Sequence, residues 1–458
     1  MPLAVGPTGG PHSHANHQPC LPPDNPPDNN THQGEPPVST TDPALRDPAF
    51  PALHGRPDQG WINDPNGAIF VDGVHHLFFQ YNPDAPIHGN VHWGHATSTD
   101  LVRWTQQPTA LFPRKGGPDA VGAWSGVIAM DGDVPTAYYT GIAETEHESL
   151  VLTATSDRTL IDWKQADEGI AGMPDEPNIG DVRDPFLFTF NGSQYAIQGA
   201  GYKDGTPAIL LYRCHTMTNW EYLGPLVTGG TDVAQEWAPA QIWECPQLFE
   251  VDGQWILMLS LWNRDDHSMD RVSYLTGELS EGGAGLKFLP TGGGLVDSGP
   301  DFYAPQVVAG TATEPRTLMW GWSWEKSRNH ADTLASGWAG VLSYARVLSF
   351  RDGVLHSEPV AEVDTLRAGL LSDGAPDFSL PQATRAFEVL APGAVELVFV
   401  DGGSERTVAA IPAGRILVDG SLLEVFAGDA PAHTVRAYPT ATSHFEVRGA
   451  ATVHALAL

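Results

Sequence analysis

Three carboxylates stand immediately before a proline or one residue ahead of it: Asp64-Pro65, Asp184-Pro185 and Glu244-Cys245-Pro246. Proline biases the residue before it toward extended backbone, and Asn66-Gly67 tolerate the tight bend that follows Asp64, so that acid is held at a turn. Acids gathered at close range disfavour double ionisation and raise one another's proton affinity. One then becomes a proton donor while another stays ionised. This split suits glycoside hydrolysis, in which a nucleophile or base and a protonated acid flank an oxocarbenium-like centre. Arg183 would keep its neighbour Asp184 ionised. Glu244, between Trp243 and Cys245, has the more apolar setting and is the better proton donor. Stacking faces for a sugar ring are supplied by Trp61, Trp93, Trp124, Trp243, Tyr303, Trp320 and Trp322.

These acids are far apart in sequence, so the elements between them must bring them together. Short apolar strands are punctuated by Asp72-Gly73, Asp131-Gly132, Asn191-Gly192 and Asp252-Gly253, at intervals of 59, 60 and 61 residues. Such pairs are strong hairpin signals. A fifth unit opens at Ala304-Pro305. A second marker keeps the same beat: Asp100 to Trp104, Asp162-Trp163 and Asn219-Trp220. Its tryptophans are assigned to packing within the repeat. A repeat of about 60 residues with several strands and no helical stretch predicts four-stranded blades arranged radially. The expected fold is therefore all-β: a five-bladed β-propeller over residues 49–357, then a β-sandwich over 358–458, where strands alternate at period two. Equivalent positions in the blades would place Asp64, Asp184 and Glu244 on one ring at the channel mouth. Residues 1–48, rich in Pro, Gly, His and Asn, read as a disordered arm.

The chain has 458 residues, with 24 Lys and Arg against 55 Asp and Glu, a formal charge of −31. That surface repels phosphate backbones and anionic lipid, so nucleic acid and membrane are excluded as partners and a small-molecule or oligosaccharide substrate is expected. Three cysteines, Cys20, Cys214 and Cys245, are too few and too scattered for a disulfide framework or a zinc site. His75, His76, His92 and His95 lack the spacing of a metal site, so neither metal nor cofactor is expected. No apolar run is long enough to span a bilayer. The first residues lack the basic and apolar regions of a secretory signal, which makes a cytoplasmic protein the expectation, or a secreted one if a leader is missing.

Five segments in order, Trp61 to Gly67, Gly89 to His95, Arg183-Asp184-Pro185, Glu244-Cys245-Pro246 and Gly337-Trp338-Ala339-Gly340, resemble glycoside hydrolase family 32, the family of invertases, levanases, inulinases and related fructosyltransferases. The stretch Leu417 to Phe426 resembles the C-terminal sandwich of that family. The resemblance implies a retaining double displacement on a β-fructofuranoside, with Asp64 as nucleophile, Glu244 as acid and base, and Asp184 gripping fructose hydroxyls. Matching sugar-binding positions are Asn63, Gln80, Trp93, Ser125, Arg183, Tyr303 and Trp322. Two departures stand out: Ile87-His88 where the family carries an aromatic residue, and Trp124 ahead of Ser125-Gly126 in place of phenylalanine. The rival readings are a fructosyltransferase, a non-catalytic sugar-binding propeller, and an inverting glycosidase with more widely spaced carboxyl groups.

Overall fold

In a computed structural model, residues 47–144, 148–283 and 285–458 are described, and the arm expected over residues 1–48 lies almost wholly outside them. The described chain is nearly all β. Five sheets, antiparallel apart from one short parallel pairing, follow one another, each opened by one long or central strand: Gly60–Val71, Gly122–Asp131, Ile179–Phe190, Ile242–Val251 and Tyr303–Val308. The opening strands of consecutive sheets lie side by side, and the fifth also lies against the first. Two further sheets, of six and four strands, use residues 367–456 and share one apolar core built around Phe387, Leu397, Ile416 and Phe445.

The expected hairpins form. Val71 pairs with Val74, Phe190 with Ser193 and Val251 with Gln254, leaving Asp72-Gly73, Asn191-Gly192 and Asp252-Gly253 as two-residue loops with both residues at positive φ. In the second sheet, Asp131 pairs with Val134, so the loop shifts by one residue to Gly132-Asp133. Glycine then occupies the first central position, as a type II′ turn requires. The tryptophan marker is structural too. The indole N–H groups of Trp104, Trp163 and Trp220 each donate to the carbonyl three residues earlier, on Leu101, Leu160 and Met217.

Short helices depart from the expectation of an all-strand chain. Asp232–Trp237 is capped by the Thr231 hydroxyl, and His330–Ser336 by an Asn329–Asp332 capping box. The second ends at Gly337 in the left-handed conformation and feeds Trp338–Ala339, which pairs in parallel with Gly60 and Trp61 at the edge of the first sheet beside its opening strand. Gly340 follows at φ 74, with a side chain excluded because a Cβ would stand 2.0 Å from the Ile62 carbonyl oxygen.

Candidate active site

All five opening strands are irregular at the same height. The pairing register shifts between Ile62 and Pro65, Ala123 and Gly126, Arg183 and Phe186, Glu244 and Gln247, and Tyr303 and Gln306. Three residues preceding a proline, Asp184, Cys245 and Ala304, have φ of 58, 45 and 46. Bulges of this kind re-aim side chains, and here they turn consecutive residues, Asn63 with Asp64, Arg183 with Asp184 and Glu244 with Cys245, toward one cavity. Asp64, Asp184 and Glu244 all line it, together with Asn63, Gln80, Arg183, Tyr303, Trp322, Trp61, Trp124 and His88. The cup has a volume of about 330 Å³.

The acids have different surroundings. Asp64 Oδ2 accepts from Ser125 Oγ at 2.5 Å and from Gln80 Nε2 at 3.3 Å, and the Cys245 thiol lies 3.4 Å away. Burial, with added repulsion from Asp184 and Glu244, pushes its carboxyl up to about 7 despite the Ser125 and Cys245 hydrogen bonds that favour the charged form. Asp184 accepts from the Cys245 backbone N–H at 2.9 Å, and the same thiol reaches it at 3.5 Å. Burial and the charge of Glu244 push Asp184 up to about 6, against the opposing charge of Arg183. Glu244 Oε1 accepts from Arg183 Nε at 2.9 Å, while Oε2 accepts from the Tyr303 hydroxyl at 2.8 Å. Tyr303 is buried and beside this carboxylate, which holds its phenol well above the ordinary range.

Four expectations change here. Arg183 donates to Glu244, not Asp184, because the bulge at Asp184-Pro185 turns the acid away from the side chain before it. Glu244 sits in a charged clasp and not an apolar one: Trp243 points to the opposite face of the strand, fully buried, with its indole on the Ala238 carbonyl. Trp93 does not line the cup. It is fully buried between sheets, and its indole donates to the Trp124 carbonyl, so it supports the wall from behind. Trp320 is likewise outside the cup, packed edge-on against Trp104. Ser125 is held by Asp64 and Gln80 and positions the carboxylate.

His88 does reach the wall, edge-on to both Trp61 and Trp124. The Oδ1 of Asn63 and the indole nitrogen of Trp322 are buried without a hydrogen-bond partner, although both residues border the cavity. Sequence reasoning missed Trp262 and Met269 on the wall. Their signal was present only in register: Trp262 pairs with Ile242, two residues before Glu244.

A model of the glycosyl hydrolases family 32 N-terminal domain matches residues 54–359. The chain belongs to glycosyl hydrolase family 32. This family 32 protein is a glycosidase of the β-fructofuranosidase type. It is 31% identical to a sucrose-6-phosphate hydrolase of Zymomonas mobilis over 74% of this chain and 69% of that protein. It is 30% identical to a sucrose-6-phosphate hydrolase of Escherichia coli over 85% of this chain and 89% of that protein. Among solved structures, a Bombyx mori family 32 β-fructofuranosidase superposes with a TM-score of 0.74 at 25% identity, covering 90% of this chain and 94% of the other. No helix among the described residues is long and apolar enough to cross a membrane. No group of three or more His, Cys, Asp or Glu side chains among the described residues is arranged to hold a metal ion.

Proposed function

We propose that this family 32 enzyme releases terminal β-D-fructofuranosyl residues from sucrose or short fructans by a retaining double displacement. Asp64 attacks the anomeric carbon and forms a fructosyl-enzyme. Glu244 gives its proton to the departing oxygen and then takes one from water. Asp184 holds fructose hydroxyls and exchanges no proton. The observation that carries this reading is the contrast between two carboxylates on one cup. Asp64 is cradled by the donors Ser125, Gln80 and Cys245, and Glu244 is clasped by Arg183 and Tyr303. A cradle of neutral donors stabilises a nucleophile that must be ionised when it attacks. A carboxyl oriented by two neighbours is positioned for proton transfer.

The scaffold belongs to the same proposal: five sheets form a closed five-bladed propeller over residues 49–357, and a sandwich domain occupies 358–458. The side-by-side opening strands support that closure. Arg183 and His88 are the basic side chains on the cup, and Arg183 is committed to Glu244. The wall therefore offers a phosphate little compensation, and an unphosphorylated sugar is the better fit. The test is hydrolysis of sucrose, sucrose 6-phosphate, 1-kestose and levan in buffer containing methanol. Methyl β-D-fructofuranoside is expected, with sucrose favoured over its phosphate. The α-methyl product would indicate inversion and overturn the mechanism; binding without turnover would overturn the enzyme reading.

A further inference from the structure

Behind Arg183 lies a second layer of charge that the reaction as described does not use. Arg183 and Asp181 are two residues apart on the strand Ile179–Phe190 and face the same way. Arg183 Nη1 stands 3.8 Å from Asp181 Oδ1, while its Nε is on Glu244. The other oxygen of Asp181 accepts from Arg264 Nη2 at 2.5 Å. On the neighbouring sheet, Trp262 and Arg264 are also two residues apart. The Trp262 ring packs under the Arg183 guanidinium, 5.6 Å from its centre, and Arg264 reaches Asp181. One strand end thus steadies the cation by its face and, through an acid, by its edge.

The place taken by Arg264 is made of missing side chains. A Cβ on Gly180 would come within 3.1 Å of Arg264 Nη2, and one on Gly201 within 3.2 Å. Arg264 Nη1 also donates to the Tyr202 carbonyl at 3.3 Å. Gly180 and Gly201 leave room for this guanidinium and the Tyr202 carbonyl accepts from it, with its side chain only 28% exposed. A chance surface pair has no such notch and contributes little.

We propose that Arg264 is a positioning residue for proton transfer: through Asp181 it holds Arg183 on Glu244 and sets the charge balance around the acid. This rests on Glu244 being the acid and base. The charged and titratable groups around that carboxylate are Arg183 and Asp184 on one strand, Tyr303 and Asp64 on two others, and its neighbour Cys245. Asp181 and Arg264 stand behind Arg183, with the Lys203 stem beside Gly180. Removing the Arg264 cation leaves the cluster more negative and frees Asp181 to draw Arg183 off Glu244. Both effects keep the acid protonated to higher pH. Removing the Asp181 charge makes the cluster more positive and acts in the opposite sense.

The experiment is the pH profile of kcat/KM for sucrose with the full chain. Arg264→Gln is expected to move the basic limb up by about half to one unit, and Asp181→Asn to move it down by a similar amount. The double variant should return near the parent. Arg264→Lys, which keeps the charge without the fork, should retain most of the limb position while losing part of kcat. A packing role alone would lower unfolding temperature in all four variants and leave the limbs in place, and that result overturns the proposal. So does movement of both single variants in one direction. Glu244→Gln, assayed on β-D-fructofuranosyl fluoride, separates the two ideas, because fluoride departs without a proton. Loss of kcat/KM on sucrose with most of it kept on the fluoride upholds the assignment of Glu244. Equal loss on both substrates shows that Glu244 is not the proton donor, and overturns the assignment and the positioning role together.

Discussion

At the scale of single residues, the cup distinguishes its acids by what donates to them. Ser125 gives its hydroxyl hydrogen to Asp64, a bond that favours the ionised carboxylate against burial and the nearby acids. Since Asp64, as the proposed nucleophile, must be ionised to attack, activity is expected to fall as pH drops through about 7, and Ser125→Ala should move that acid limb upward by about one unit. A pH series of kcat/KM reads this directly, and an unmoved limb removes Ser125 from the cradle. Tyr303→Phe removes one of the two hydrogen bonds on Glu244. Its kcat on sucrose should fall on the order of tenfold, with much less loss on fructosyl fluoride, because only the first leaving group needs a proton. The three acids could be read from sequence because each precedes a proline within a repeated frame. Their partners could not: Arg183 adjoins Asp184 in the chain yet serves Glu244, since a bulge intervenes. Trp93 shows the same limit, because an aromatic type does not reveal which side of a strand it occupies.

At the scale of elements, hairpin chemistry carried most of the legible signal. Asp-Gly and Asn-Gly pairs need left-handed backbone, and the 60-residue beat follows from them. The aligned register shifts in the opening strands were invisible, because a bulge depends on pairing with the next strand. Nor did periodicity reveal the two short helices, whose caps lie inside loops. Gly340 matters at this scale. With φ 74 and the Ile62 carbonyl in the place of a side chain, Gly340→Ala is expected to cost more than about 2 kcal/mol. Urea unfolding measures it, and because Ile62 immediately precedes Asn63 and Asp64, kcat should fall in the variant that still folds. An alanine variant of parental stability would show that this contact bears no load.

At the scale of the whole molecule, the C-terminal sheets are tied to the rest by buried charge. Asp419 accepts from the backbone N–H of Ala52 and Leu53 and from His54 Nδ1 at 2.7 Å. Glu424 takes the other face of His54 at 3.3 Å, together with Arg346, which also reaches Asp297 at 2.7 Å. Burial alone would lower the proton affinity of His54, but the hydrogen bonds and charges of Asp419 and Glu424 outweigh it and leave it raised. A raised folded value means that this contribution to stability is complete below about pH 6.5 and is lost as pH rises through the raised value. The unfolding-temperature gap between the parent and His54→Gln should therefore narrow from pH 6 to pH 9. A constant gap would mean that the imidazole is neutral throughout. From sequence, the change of strand pattern after residue 357 was readable, while this joint, spanning more than 350 residues of chain, was not.

The parallel pairing of Gly60 and Trp61 with Trp338 and Ala339 joins segments that leave the ribosome far apart in time. Asp64 is synthesised early, but the edge beside it stays bare until a segment about 275 residues later leaves the ribosome. Contacts of such long range form slowly and late. A growing polypeptide is therefore expected to carry its proposed nucleophile in an unfinished site until that later segment comes back to meet the first strand.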